Sequence, residues 1–288
     1  MTLSSLVDTH AHLDDRAFAA DREAVIARAV AAGVSRILTV GVDLPSSRAA
    51  VALAEKHPAV YAAVGLHPHD ARKWNEATAR ELRALAQHPR VVAIGETGLD
   101  FYRNLSPREA QIAAFRAQLA LAGEVGLPVI IHDRDEAPSR LTSRNGGRDG
   151  ASEAHSEVMA ILREWAERVR TPVLGVLHAF SGDLAMAEEA SRLGFFIALG
   201  GPVTFAHARR PVEIARQLPL DRLLLETDCP YLTPEPFRGR RNEPAYVRYV
   251  AERLAQIRAQ PVEVVAKATT QNALTLFPRL QSVSANGV

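Results

Sequence analysis

Asp8-Thr9-His10-Ala11-His12, behind the apolar residues Leu3, Leu6 and Val7, is the stretch from which the fold is read. Side chains alternate along a strand, so two histidines two residues apart point to one face. Neutral imidazole is the commonest protein metal ligand near neutral pH. A pair of exposed histidines at a strand end is the other reading of this segment alone. The ends of later strands decide between them.

Working outward, short apolar runs alternate with longer helical stretches. Strands are expected over residues 3–8, 35–41, 60–65, 91–96, 128–132, 173–178, 195–199 and 223–226. Apolar spacing near 3.6 residues predicts helices over 21–32 (Val25, Ile26, Ala29, Val30) and 107–125 (Ile112, Phe115, Leu119). Ser106-Pro107 reads as a cap followed by a first-turn proline, with Glu109 completing a capping box. Gly33, Gly126 and Gly194 stand where helices should stop. Nearly continuous apolar strands belong to a parallel sheet covered by helices. Eight alternations about thirty residues apart predict a single (β/α)8 TIM-type barrel, with an extra helix over 261–276. A doubly wound open sheet competes, but no glycine-rich phosphate fingerprint follows the first strand. One domain is expected over 1–280, with a mobile excursion at 136–153 after the fifth strand and a frayed tail over 281–288.

Composition narrows the class. With 47% hydrophobic and 23% charged residues a large core can form. A net charge of +1 gives no global field for a polyanion, so any nucleic-acid affinity must be local. The lone Cys229 excludes an intramolecular disulfide framework and suits a reducing compartment. No apolar run spans a bilayer and no signal-peptide pattern opens the chain, so a soluble cytoplasmic protein, monomeric and away from membranes, is expected.

In a barrel the strand C-termini converge on one face, where catalytic groups sit. Those ends deliver His10 and His12, His67, Glu96, His132, His178 and Asp228. Five of the ten histidines therefore fall at expected strand ends. The others (His57, His69, His88, His155, His207) read as surface residues, His69 being nearest the mouth. A single catalytic zinc uses three protein ligands and an open position. This larger inventory suits two cations about 3.5–4 Å apart sharing a carboxylate. A buried structural cluster is the plainer alternative, although ligands from six strand ends argue against it. Lys56, Lys73 and Lys267 all fall in expected helical segments, so no carboxylated lysine can bridge, and Glu96 is the candidate that remains.

These residues sit in blocks, Asp8 to Asp14, Gly65 to Pro68, Gly95 to Tyr102, Ile131 to Arg134, His178 to Gly182, Thr227 to Leu232 and Arg238 to Pro244, with Asn272-Ala273 and Leu276-Phe277 near the end. The ordered series resembles the TatD family of metal-dependent deoxyribonucleases. The resemblance implies a barrel of the metallo-dependent hydrolase superfamily that hydrolyses DNA phosphodiesters with divalent cations, often from the 3′ end of single strands. It implies one metal on His10, His12, Glu96 and Asp228, a second on Glu96, His132 and His178, and His67 against the substrate phosphate.

Chemistry gives each role a reason. Asp228, a carboxylate beside a metal, would orient and deprotonate the attacking water. His67 would stabilise charge developing on the phosphate oxygens. Arg103, Arg134 and Arg241 are candidates to grip phosphate, and Tyr102 to stack on a base. Glu226 would support the site from behind, Asp14 would cap its loop, and Cys229 would pack as a small hydrophobe. Where the family commonly has cysteine after the strand-six histidine, this chain has Ala179, a position that packs rather than reacts. The physiological metal among Mg, Mn, Zn and Co is open. So are two other readings: the same fold acting on an amide, ester or aminoacyl-tRNA bond, and a metal-binding partner protein without turnover.

Overall fold

A computed structural model describes residues 5–135, 153–169, 171 and 173–281. Its eight strands are β1 (Leu6–Ala11), β2 (Val34–Val40), β3 (Val60–Val64), β4 (Val91–Asp100), β5 (Val129–Arg134), β6 (Gly175–Leu177), β7 (Phe195–Leu199) and β8 (Leu223–Leu225). They form one all-parallel sheet in sequence order. The helices between them are α1 (Arg22–Ala31), α2 (Leu44–Lys56), α3 (Glu76–Ala86), α4 (Arg108–Val125), α5 (Glu153–Val169), α6 (Leu184–Arg192) and α7 (Arg209–Gln217). After β8 come α8 (Val247–Arg258) and the extra helix α9 (Val262–Leu276). The expected (β/α)8 barrel is thus the observed fold. The expected excursion at 136–153 and tail at 281–288 lie, but for Glu153 and Gln281, outside the described residues.

The ring closes where β8 meets β1, through an isolated bridge between Ala11 and Cys229. The Asp228 amide donates to the His10 carbonyl (2.9 Å) and the His12 amide to the Cys229 carbonyl (2.8 Å). Buried Asp8 accepts from the Thr227 amide (2.9 Å) and hydroxyl (2.6 Å) across the same seam. The seam therefore fixes both ends of the site relative to each other.

Strand alternation carries the barrel interior into the mouth. Ile130, Val176 and Leu224 line the inner apolar cluster, and two residues further on stand His132, His178 and Glu226. In β1, Val7 belongs to the inner cluster, a parity that would turn His10 away. Irregular pairing with β2 between Asp8 and Ala11 resets it.

Three local expectations are corrected. Strand β4 runs on to Asp100 rather than ending at Glu96, because Thr97 to Asp100 pair with Ile131 to Arg134 of β5. Gly98 permits this: its φ is +139°, and a Cβ there would lie 1.9 Å from the His132 carbonyl oxygen. Ser106 does not cap α4. Its hydroxyl donates to the His69 carbonyl (2.7 Å) instead, and the helix starts after Pro107 with no side-chain cap. Strand β6 is short, although the His178 amide still bonds the Ile131 carbonyl (3.0 Å).

Candidate metal centre

Glu96, on β4, stands at the centre of the mouth and is buried. Its two oxygens face different groups. Oε2 lies 3.4 Å from His10 Nε2 and 3.8 Å from His12 Nε2. Oε1 lies 2.8 Å from His132 Nδ1, 2.8 Å from His178 Nε2 and 3.4 Å from His67 Nε2. Asp228 completes the first group, with Oδ1 3.4 Å from His12 Nε2 and 3.9 Å from His10 Nε2. The two Nε2 atoms of His10 and His12 are 3.3 Å apart. The shared face expected of these two histidines is therefore observed.

The donor set fits divalent cations. Five spacings of 3.3–3.9 Å among His10, His12, Glu96 and Asp228 suit a cation bonded at roughly 2.0–2.4 Å, close to zinc's bonds to nitrogen and oxygen. Three groupings bring ligand atoms together: His10, His12 and Glu96; His67, Glu96 and His132; and His10, His178 and Glu226. Three buried atoms here, His10 Nδ1, His178 Nδ1 and Glu226 Oε2, have no hydrogen-bond partner. Unpaired polar atoms of this kind are rare in a finished core and mark a functional site.

The ring orientations are set from behind, as metal sites require. His12 Nδ1 donates to the Val40 carbonyl (3.0 Å), leaving Nε2 for the mouth. His132 Nε2 bonds Asp100 Oδ2 (3.1 Å), which also takes His69 Nε2 (2.9 Å). The His69 amide donates to His67 Nδ1 (3.1 Å), so the other nitrogen of His67 carries its proton toward Glu96. Glu226 accepts the Ala179 amide (2.5 Å) with its side chain behind His178. Asp228 and Ala179 hold left-handed backbone, φ +56° and +42°, a conformation that non-glycine residues keep mainly where a site requires it.

Electrostatics follow from this packing. Burial pushes the His10 and His67 imidazoles down to about 4. Burial acts the same way on His12 and His132 but is outweighed, by Asp228 and Glu96 for the first and by Asp100 and Glu96 for the second, lifting both to about 9. For Glu96, burial opposes ionisation, yet His178 and His67 hold the carboxyl well below its usual range. Asp228 is likewise lowered, against burial, by His12 and His10. Glu226 has no such neighbours in number, and burial lifts it to about 7.

The remaining residues divide. Arg134 and Tyr102 are exposed at the rim, the guanidinium 4.4 Å from the ring centroid. Arg103 is exposed beside them, its amide donating to Asp100 Oδ1 (2.7 Å). Arg241 does not present an open fork. Its guanidinium pairs with both oxygens of Asp21 (2.7 and 2.8 Å) and lies over Phe18. Within the same block, buried Asn242 donates to the carbonyls of Thr227 (2.8 Å) and Tyr231 (2.6 Å), bracing the Asp228 loop. Asp14 keeps a buried Oδ1 with no hydrogen-bond partner. Cys229 is buried and free.

Sequence reasoning missed Asp100 and treated His69 and His155 as surface residues. His69 belongs to the Asp100 network, and His155 Nδ1 bonds Asp133 Oδ2 (2.7 Å) beside His132. The signal for Asp100 was its place two residues beyond Gly98, on a strand that continues past the glycine. His57 and His88 pair with Glu23 and Glu55 instead, and His207 is exposed.

A parallel barrel whose mouth gathers five histidines around buried carboxylates defines a metal-dependent hydrolase. The family follows from the sequence: a profile described as TatD related DNase matches residues 7–278, and the chain belongs to that family. It is 44% identical to the uncharacterized metal-dependent hydrolase YabD of Bacillus subtilis, over 94% of this chain and 98% of that one. It is 40% identical to the 3′-5′ ssDNA/RNA exonuclease TatD of Enterobacter lignolyticus, again over 94% and 98%. Among solved structures, the TatD homolog YjjV of Escherichia coli superposes with a TM-score of 0.83 at 33% identity, covering 95% of this chain and 98% of that one. No helix among the described residues is long and apolar enough to cross a membrane.

Proposed function

We propose that this protein is a 3′–5′ exonuclease of single-stranded DNA that binds two divalent cations, one on His10, His12, Glu96 and Asp228 and one on Glu96, His132 and His178. The observation that carries the reading is the division of Glu96: each carboxylate oxygen faces its own set of imidazoles. The relatives named as ssDNA/RNA exonucleases support the substrate class. When bound, the cations supply positive charge that acidifies water and makes phosphorus more electrophilic; Mg, Mn, Zn and Co all suit imidazole and carboxylate donors.

The chain's own residues do the rest. Asp228, held ionised by His12 and His10, orients water and takes its proton as the new oxygen–phosphorus bond forms. His67, kept neutral by burial with its proton on Nε2, donates to a non-bridging phosphate oxygen as charge builds there. The bond from phosphorus to the 3′ oxygen of the preceding nucleotide breaks, and that oxygen leaves to be protonated by solvent. Arg103 and Arg134 hold phosphate at the rim, and Tyr102 offers a ring to a base. Arg241 takes this part only where its pair with Asp21 opens. All these side chains come from one chain, so a monomer suffices, and its buried thiol Cys229 suits a reducing cytoplasm.

The test uses metal-stripped protein and a 5′-labelled single-stranded oligonucleotide, with Mg or Mn restored and Asp228→Asn in parallel. The expected result is a metal-dependent ladder shortening from the 3′ end and absent in the variant. Two metals bound without cleavage would discard DNA and turn the search to amide and ester bonds.

A further inference from the structure

Six large hydrophobic side chains are exposed among the described residues, and four of them stand on two loops of the mouth. Tyr102 (50% exposed) and Leu105 follow β4. Tyr231 (55%) and Leu232 (37%) follow β8. In a ring ordered β1 to β8, β4 and β5 lie opposite the β8–β1 seam. The two aromatic rims therefore face each other across the candidate metal centre.

The Tyr231 rim is built, not loose. The Tyr231 hydroxyl donates to Asp15 Oδ2 (3.0 Å), and its ring meets the His12 ring edge-on with centroids 6.2 Å apart. Asn242 holds the Tyr231 carbonyl (2.6 Å). Gly201 packs so tightly on Leu232 that a Cβ there would lie 1.8 Å from the Leu232 carbonyl oxygen. Leu232 itself has φ +50°, a strained state for a branched side chain. Strain and exposure together are retained where the side chain is used.

We infer that the two rims are base platforms: Tyr231 and Leu232 receive the base of the 3′-terminal nucleotide, and Tyr102 with Arg134 receives the base before it. The inference rests on the nuclease reading. In an in-line displacement the attacking water and the leaving 3′ oxygen lie on opposite sides of phosphorus. Asp228, on the water side, is three residues from Tyr231, so the strand carried by the leaving 3′ oxygen points away from that rim and leaves it open to the terminal nucleoside, whose 5′ oxygen is equatorial. The preceding nucleotide then lies toward β5, where Arg134 covers Tyr102 at 4.4 Å. Two bases held on opposite rims cannot stack on each other or stay paired in a duplex. Selectivity for single strands is then a consequence of where the rings stand.

The experiment compares kcat/KM with Mn for a single-stranded oligonucleotide ending in a normal 3′ nucleotide and for the same strand ending in an abasic one. Stacking of a base on an aromatic ring is worth about 1–3 kcal/mol, roughly five- to 150-fold. Wild type should favour the terminal base by that factor, Tyr231→Phe should retain the preference, and Tyr231→Ala should abolish it. Leu232→Gly accepts the positive φ, so it should keep the melting temperature while reducing the preference. Quenching of 2-aminopurine at the 3′ terminus on binding should weaken in Tyr231→Ala. An undiminished preference in Tyr231→Ala, or none in wild type, overturns the platform and leaves the nuclease reading standing. Failure of the metal-loaded wild type to cut any oligonucleotide overturns both.

Discussion

The two ends of this barrel are built by opposite rules. At the floor, Leu276, Phe277 and Leu280 close the interior against Tyr61, Val92, Ile130 and Phe196. The backbone carbonyls there are taken up: Arg36 donates to Leu280 (2.9 Å) and Arg279 to Val91 (2.6 Å). At the mouth, the same inner columns end in His132, His178 and Glu226, and the buried His10 Nδ1, His178 Nδ1 and Glu226 Oε2 have no hydrogen-bond partner. Stability is concentrated where packing is complete, and chemistry where packing is left unfinished for a ligand.

The largest test of that division removes the one group both halves of the mouth share. Glu96→Gln should lower cleavage by about 1000-fold or more, since several kcal/mol of transition-state charge stabilisation go with the cations. Metal analysis should show both equivalents lost, not one, because each oxygen serves a different set of imidazoles. Retention of one full equivalent would restrict Glu96 to a single site. The reciprocal change is at the floor. Phe277, fully buried, should cost about 3–5 kcal/mol when cut to alanine, read by denaturant unfolding. Metal stoichiometry at low temperature should be unaltered. A floor substitution that emptied the mouth would mean the two ends are not separable.

Much of this division was legible in the chain. The strand-end histidines stood out because a polar imidazole directly after an apolar run has few structural reasons to be there. What escaped notice depended on geometry that spacing does not encode. The strand read over 91–96 stops at Glu96, yet Gly98 lets β4 continue against the His132 carbonyl and brings Asp100 to His132. His155 lies far along the chain on α5, and only the packing of that helix brings it to Asp133. The pairing of Arg241 with Asp21 was not legible because the two are distant in sequence.

Asp100 sharpens the comparison within the mouth. Asp100→Asn keeps the shape but removes the charge that takes His132 Nε2 and His69 Nε2. Loss of such an outer partner typically weakens metal binding about 10- to 100-fold, which calorimetry would read directly. Unfolding free energy should change far less than in the Phe277 variant.

Proton release gives a further distinction. In the metal-free protein His12 and His132 remain protonated up to about pH 9, above the ordinary histidine value. Their ion pairs therefore stabilise the folded state fully below the unfolded value, and that contribution is lost as pH rises through about 9. A cation needs both rings unprotonated. Metal titrations at pH 8 in buffers of differing ionisation heat should show protons released as the chain is loaded, from His12 and His132 and also from His178, which Glu96 raises against burial. Metal affinity should fall as pH is lowered. Release of none would mean these rings do not ligate.

The smallest effect concerns Arg241, which stands between the two classes. Its guanidinium, with that of Arg28, holds Asp21 down to about 2. The sign follows: this contribution is present above the unfolded carboxylate value and lost as pH falls toward 2. Both partners are accessible to solvent, so screening keeps it small. Arg241→Ala should therefore raise the Asp21 pKa measured by NMR toward the ordinary range and leave the melting temperature nearly unchanged at neutral pH. If the pair also persists when DNA is bound, KM should change less than about twofold, whereas a lost phosphate contact is a charged hydrogen bond worth roughly 1.5–3 kcal/mol, about tenfold or more in KM. A tenfold rise would mean that Arg241 leaves Asp21 to meet the substrate.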